Sequence, residues 1–381
     1  MNQELAMDVK MVDLKGQYAK IKPEIDSIIQ EVLDSSAFIK GPFVKRFKEN
    51  LESYLGVNYV VPCGNGTDAL QLALMALDLE PGSEIITTSF TFVATVEVIS
   101  LMGLVPVFVD IDPKTFNLDP DKIESAITEK TKCIIPVHLF GQAADMEPIM
   151  AIAKRYNLKV IEDTAQAIGC RYGIDGSQPF CGTIADIGTF SFFPSKNLGC
   201  YGDGGAVCTN DESLAERINL YANHGSSKKY HYDSVGINSR LDGIQAAILD
   251  VKLRHLEEYT TARIEAADRY DQLLSEVEEI AIPHRDMKSN HVFHQYTIKV
   301  LNGSRDSLKK HLGEAGIPTG VYYPSAIHNQ AVYAQYHKGK APLSITDELC
   351  TTVLSLPMHT ELDWEMQKFI TDKVKNSLLN S

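Results

Sequence analysis

What this sequence lacks narrows its function before any motif is read. Positive charge is in deficit: 36 lysines and arginines stand against 50 aspartates and glutamates, a formal net charge of -14. That balance argues against nucleic acid or an anionic membrane as partner, so an anionic ligand would need a local cluster of donors. The seven cysteines, at 63, 133, 170, 181, 200, 208 and 350, are scattered and never spaced Cys-x-x-Cys. Neither a disulfide framework nor a zinc site fits them, and a reduced cytoplasm does; no metal is expected. The longest apolar stretch, Val93 to Val109, is interrupted by Glu97, Gly103 and Pro106, which is too broken for a membrane span. The opening Met1-Asn2-Gln3-Glu4 shows no basic, apolar signal pattern, so the expected location is the cytoplasm. No internal repeat or low-complexity linker interrupts the chain.

What is present is a globular pattern in a chain of 381 residues, long enough for one large and one smaller domain. Ile21, Ile25, Ile28, Ile29, Val32 and Leu33 recur at helical spacing, with Pro23 near the start. A second amphipathic helix runs from Val44 to Leu55 and stops at Gly56. Strand-like runs then appear at Tyr59–Val61, Glu84–Thr87, Val105–Asp110, Cys133–His138, Val160–Asp163 and Gly188–Phe193. Helical stretches Asp68–Leu77, Thr95–Met102, Pro120–Thr128 and Met146–Tyr156 lie between most of them. This alternation predicts a mostly parallel sheet with helices on both faces, with ligands gathering at the carboxyl ends of the strands. A return strand at Gly204–Cys208, a helix at Leu214–Asn223 and a long helical pattern from Leu241 to about Leu274 follow. The domain change is placed at 257/258. Beyond it, strands at His294–Val300 and Gly320–Tyr323 and helices at Ser307–Ala315 and Trp364–Leu378 predict a small α+β domain.

Four strand ends carry candidate chemistry. Pro194 stops the last parallel run, and Lys196 follows on a glycine-rich turn beside an apolar sheet end. Lost hydration there lowers a lysine pKa and favours the neutral amine that attacks carbonyls, as a Schiff-base lysine must. The plainer alternative is a surface lysine in a turn. Gly64-Asn65-Gly66-Thr67-Asp68 opens a helix, and its amides with the Thr67 hydroxyl form a phosphate cradle or simply a capped helix start. Asp163 ends a buried strand, where a carboxylate is costly without a cation or donors; a protonated pyridine nitrogen would serve, and so would a capping role. Phe92 offers an aromatic face to a flat ring, or ordinary core packing. In combination these parts specify pyridoxal 5'-phosphate.

With Gly66-Thr67-Asp68-Ala69-Leu70, Thr91-Phe92-Val93-Ala94-Thr95, Glu162-Asp163-Thr164-Ala165-Gln166-Ala167 and Phe190-Ser191 through Lys196-Asn197, the chain resembles the DegT/StrS-type sugar aminotransferases, of the aspartate-aminotransferase fold (fold type I). Gly202-Asp203-Gly204-Gly205 and Gly236-Ile237-Asn238-Ser239-Arg240-Leu241-Asp242 extend the likeness over nearly the whole chain from Met11. The resemblance implies a large three-layer domain with a mostly parallel sheet and a smaller C-terminal α+β domain. It implies that Lys196 holds the cofactor and relays a proton, Asp163 pairs with the ring nitrogen, Gln166 lies against the ring or its 3'-oxygen and Phe92 stacks. Gly66, Thr67 and Ser191 would hold the phosphate, and Asn238 would reach the phosphate of a neighbouring subunit in a homodimer with shared active sites. Lys228, Lys229 and Arg240 would neutralise a diphosphate, a solvated loop being the alternative for the two lysines. Tyr322 stands where many relatives carry histidine, at a sugar contact. His294 and His328 read as packed small-domain histidines. The implied reaction moves the amino group of L-glutamate onto a UDP- or dTDP-linked keto-sugar, 3-keto ahead of 4-keto. The rivals are a dehydratase or lyase on the same fold and a cofactor-binding regulator without catalysis; relatives with histidine at the lysine position are dehydratases, and Lys196 is present here.

Overall fold

The computed structural model describes residues 7–173 and 176–379. Helix α1 (Leu14–Ser35) buries Ile21, Ile25, Ile28 and Val32 of the stripe read from the sequence, while Ile29 is half-buried and Leu33 exposed. Pro23, expected near its start, lies inside the helix. Helix α2 (Pro42–Leu55) begins on proline and ends at Gly56, whose φ of 69° is a left-handed cap that glycine adopts without strain.

The alternation that follows builds the main sheet. In chain order come β1 (Tyr59–Cys63), α3 (Gly66–Leu77), β2 (Glu84–Thr88), α4 (Ala94–Leu101), β3 (Val105–Val109), β4 (Thr131–Ile135), α5 (Met146–Tyr156), β5 (Lys159–Asp163), β6 (Ile187–Ser191) and β7 (Gly205–Thr209). The sheet has seven strands in the order β1-β7-β6-β5-β4-β2-β3. Neighbours from β6 across to β3 pair in parallel, whereas β7 runs antiparallel to both β6 and β1. Strand alternation sorts the side chains between two apolar layers. Ile85, Cys133, Ile135 and Ile161 pack with α3 and α4, while Ile86, Ile134 and Val160 face α5. The expected helix at Pro120–Thr128 is instead two short 3-10 turns, Pro120–Lys122 and Glu124–Ala126. Pro120 sets the first turn, but only Ile123 there is buried, too little apolar surface to hold a longer helix.

Helix α6 (Glu212–Ala222) and a small hairpin, β8 (Ser226–Lys228) and β9 (His231–Tyr232), lead to α7 (Gly243–Arg254) and α8 (Leu256–Leu274). The long helical pattern thus breaks at His255. A second sheet orders β10 (Ile280–Ala281), β11 (Tyr296–Val300) and β12 (Val353–Leu356), all antiparallel. Its core joins residues of α8, α9 (Arg305–Glu314) and α11 (Trp364–Leu379). Gly320–Tyr323 is not a strand: only Gly320 bridges to Ser355, and the chain then turns toward the main sheet. The strand that closes the far edge there is β12, after α10 (Ser344–Thr352), which sequence reading passed over. Among the described residues no helix is long and apolar enough to cross a membrane, and all seven cysteines are free and buried.

Gly188 shows how tightly β6 is seated, since a Cβ there would lie 1.9 Å from the Gly182 carbonyl oxygen. Backbone must shift to admit it. Gly188→Ala is expected to cost roughly 1–3 kcal/mol or more, read as a lower denaturant midpoint; an unchanged midpoint would show that the 182–188 loop yields freely.

Candidate active site

The carboxyl ends of β5 and β6 bring an acid and an amine together. Asp163 ends β5 and is buried. Its Oδ2 accepts a 2.8 Å hydrogen bond from the Thr95 hydroxyl, and its Oδ1 accepts from the Ala165 amide at 3.2 Å. Burial pushes its pKa above the ordinary carboxylate value, while Thr95, Ala165 and the Lys196 charge pull the other way. The capping alternative is therefore partly true, through Ala165. Lys196 is half-buried on the turn after β6, and its amide donates to the Phe193 carbonyl at 2.8 Å. Desolvation pulls its pKa down to about 8, against the attraction of Asp163. Each group thus feels the other's charge. The strand itself ends at Ser191, two residues before the expected Phe193.

Glu162, beside Asp163, points to the opposite face, as strand alternation requires. It accepts from His138 Nε2 at 2.9 Å and from the amides of Gly182, Ile184 and Ala185 at 2.7–2.8 Å. The Ala144 amide donates to His138 Nδ1 at 3.0 Å, so the ring proton sits on Nε2. Glu162 is accordingly spoken for, and Asp163 alone faces the α4 side with spare acceptor capacity.

At the amino end of α3, Asn65 accepts from the Asp68 amide and leaves the first amides of the helix free of that cap. A Cβ on Gly66 would lie 2.7 Å from the Ser191 Cβ, and one on Gly205 would lie 2.3 Å from the Asn65 oxygen. The two glycines let the helix start, β6 and β7 converge, placing Gly66 and Ser191 side by side with Thr67 half-buried next to them. Phe92 is 56% exposed, whereas Phe90 is fully buried, so Phe90 takes the core position and Phe92 presents an open ring. Gln166 accepts from the Phe140 amide at 2.8 Å and donates to the Tyr323 hydroxyl at 3.2 Å.

The remaining expected residues lie further out. The 236–242 segment packs on its own chain: Ser239 accepts from the Gly64 amide at 2.9 Å and donates to Asp68 at 2.6 Å. Asn238 beside it is exposed. Lys228 and Lys229 are exposed on the β8–β9 hairpin. Arg240 is half-buried and lines a cavity of about 380 Å³ with Lys40, Glu212 and Glu216. No hydrogen bond or ion pair among the described residues joins it to either lysine. Tyr322 is half-buried against Tyr323, with Gly320 beneath its ring. His294 and His328 are buried. No cluster of metal-binding type occurs among the described residues.

Sequence reading missed Thr95, Tyr323 and Lys252. The Lys252 ammonium is buried, donates to the Gly199 carbonyl at 2.6 Å and lies 4.8 Å from the Tyr201 ring centroid, so it holds the far end of the lysine loop. Thr95 had a local signal, lying four residues after Thr91 at a helix start. Tyr323 and Lys252 had none, because their partners are distant in sequence.

With this geometry the chain is similar to known proteins over almost all its length. It is 48% identical to the pleiotropic regulatory protein of Geobacillus stearothermophilus, over 97% of this chain and 98% of that one. It is 46% identical to the UDP-2-acetamido-2-deoxy-3-oxo-D-glucuronate aminotransferase of Pseudomonas aeruginosa, over 97% and 100%. Its fold superposes on NtdA from Bacillus subtilis with bound cofactor PMP at a TM-score of 0.91 and 35% identity, covering 99% of this chain and 86% of that one. The match to the family description spans residues 19–375, and the chain belongs to the DegT/DnrJ/EryC1/StrS aminotransferase family.

Proposed function

We propose that the protein uses pyridoxal 5'-phosphate to move the amino group of L-glutamate onto a UDP- or dTDP-linked keto-sugar, a 3-keto sugar ahead of a 4-keto one, for amino-sugar and surface-polysaccharide biosynthesis. The observation that carries this is the desolvated, mutually attracting pair of Lys196 and Asp163 at adjacent strand ends. The residues present fit the cofactor. Gly66 and Ser191 leave a cradle that a single Cβ would fill, and among the described residues the hydrogen bonds to the Asp163 carboxylate come from Thr95 and Ala165, none from a cation. When bound, the cofactor supplies a carbonyl that condenses with amines and a pyridinium ring that takes up electron density.

The chain's own groups then divide the work. The amides of Gly66 and Thr67 and the Ser191 hydroxyl would hold the phosphate, with the α3 N-terminus favouring its charge. Phe92 would cover one face of the ring, and Gln166, fixed by Phe140 and Tyr323, would lie against the ring or its 3'-oxygen. Asp163 would accept the ring N–H. Lys196, with a pKa near 8, would be neutral often enough to attack a carbonyl and to carry a proton to and from the substrate carbon. Lys228, Lys229 and Arg240 would meet the diphosphate, and Tyr322 the sugar. We place the large cofactor-binding unit at 1–257 and the small one at 258–381, in a cytoplasmic homodimer with Asn238 completing the neighbour's phosphate site. The name of the Pseudomonas relative supports a UDP-linked 3-keto acceptor.

The direct test supplies cofactor and L-glutamate, then UDP- and dTDP-linked 3-keto and 4-keto sugars, following 2-oxoglutarate. Glutamate alone should change the cofactor's visible spectrum, and one keto-sugar should restore it. A regulator would show no spectral change with glutamate, and a lyase or dehydratase would release water or ammonia without 2-oxoglutarate.

The lysine pKa adds a stability signature. Because the folded value of about 8 lies below the ordinary value of roughly 10.4, the unfolded chain binds more protons between them. Stability of the cofactor-free protein therefore rises with pH across that window. Lys196→Met should raise the unfolding midpoint at pH 7, and the advantage should fade as pH passes from about 8 to about 10.4.

Site sharing is tested by mixing inactive variants. Lys196→Ala and Asn238→Asp homodimers should each be nearly inactive. Random co-refolding should return activity to about 25% of wild type, since half the dimers then hold one intact site. No recovery would assign Asn238 to its own subunit.

A further inference from the structure

The acid at the end of β5 depends on a hydroxyl that no expectation assigned. Thr95 is fully buried in the first turn of α4, and its Oγ1 lies 2.8 Å from Asp163 Oδ2 and 3.0 Å from Thr91 Oγ1. A threonine hydroxyl has one proton to give. Spent on Asp163, it leaves Thr95 able only to accept from Thr91, so the chain of bonds runs Thr91 to Thr95 to Asp163. The reverse direction would need a protonated Asp163. At the other oxygen, the Ala165 amide can only donate. Two one-way donors thus hold the carboxylate as an acceptor and fix its plane.

We propose that Thr95 is a positioning residue, which with Thr91 behind it keeps Asp163 ionised and aimed to accept a ring N–H. This rests on the assignment of Asp163 to the cofactor ring. The other groups acting on Asp163 are Lys196, whose charge favours its ionised form, and Tyr323, whose own hydroxyl pKa burial and the Asp163 charge raise. Lys196 gives up that help whenever it is neutral or bonded to cofactor. Thr95 does not titrate, so its contribution persists when the lysine's is lost.

The test uses the full chain, with and without cofactor. In the cofactor-free protein, the Asp163 carboxyl is followed by carbon-13 NMR and assigned by its loss in Asp163→Asn. Thr95→Val and Thr95→Ala, which remove the hydroxyl with different packing, should raise its titration midpoint by about one to two pH units. Thr95→Ser should restore it. With cofactor, Thr95→Val should lower kcat about tenfold with the KM for glutamate little changed. In an Asp163→Asn background the same substitution should cost nothing further. An unmoved midpoint in both hydroxyl-less variants overturns the inference. If Asp163→Asn leaves turnover intact, the ring assignment fails instead, and the titration still decides whether Thr95 controls Asp163.

Discussion

Dehydration at the carboxyl ends of β5 and β6 is the constraint on which the site depends. Removing water raises the Asp163 pKa and lowers that of Lys196, so burial drives both toward their neutral forms. For the role proposed for the lysine that shift is useful, since a neutral amine is the nucleophile. For the role proposed for the acid it is a threat, because a carboxyl that holds its proton cannot accept one from a ring. The Thr95 hydroxyl, the Ala165 amide and the lysine charge oppose it. One environment thus serves two opposite needs, and local hydrogen bonds make the difference.

The lysine turn is held from both sides. Asn197 donates to the Val292 carbonyl at 3.0 Å, tying the turn to the segment that leads into β11. Lys252 on α7 donates to Gly199, and Gln245, two turns earlier on the same helix, accepts from the Tyr201 amide at 2.8 Å. The first tie comes from the second sheet's side and the others from the helical layer over the main sheet. Gln166 and Tyr323 make a similar link across the site, and Ser89, just beyond β2, bonds the buried His328 at 2.8 Å. Movement of the second sheet against the first would therefore be felt at the lysine turn, at Gln166 and at the β2 end together.

Much of this was legible in the sequence. Strand alternation and glycine or proline punctuation located every strand of the main sheet, and helix periodicity located α2, α3, α5 and α11 to within a few residues. Lys196, Asp163, Gly66 and Phe92 stood out as candidates because strand ends and helix starts are local features, whereas Ser191 entered through the family resemblance. The failures are equally local in origin. Pro120 suggested a helix start, but the stretch lacks the buried face that would sustain one. Val353–Leu356 is short, and only its pairing with β11 makes it a strand.

The sequence by itself determined the order of elements, the alternation of buried faces and the residue types at each strand end, because these follow from periodicity and backbone stereochemistry over a few residues. Tertiary structure supplied the reason that Asp163, and not its neighbour Glu162, is turned toward the α4 side. Glu162 and Asp163 differ by one position in a strand, and only the packing of His138 on one face and Thr95 on the other separates their roles. It also decided the protonation balance of Lys196 and the partners of Lys252 and Tyr323. Those depend on water excluded by segments far apart in the chain, which no local pattern encodes.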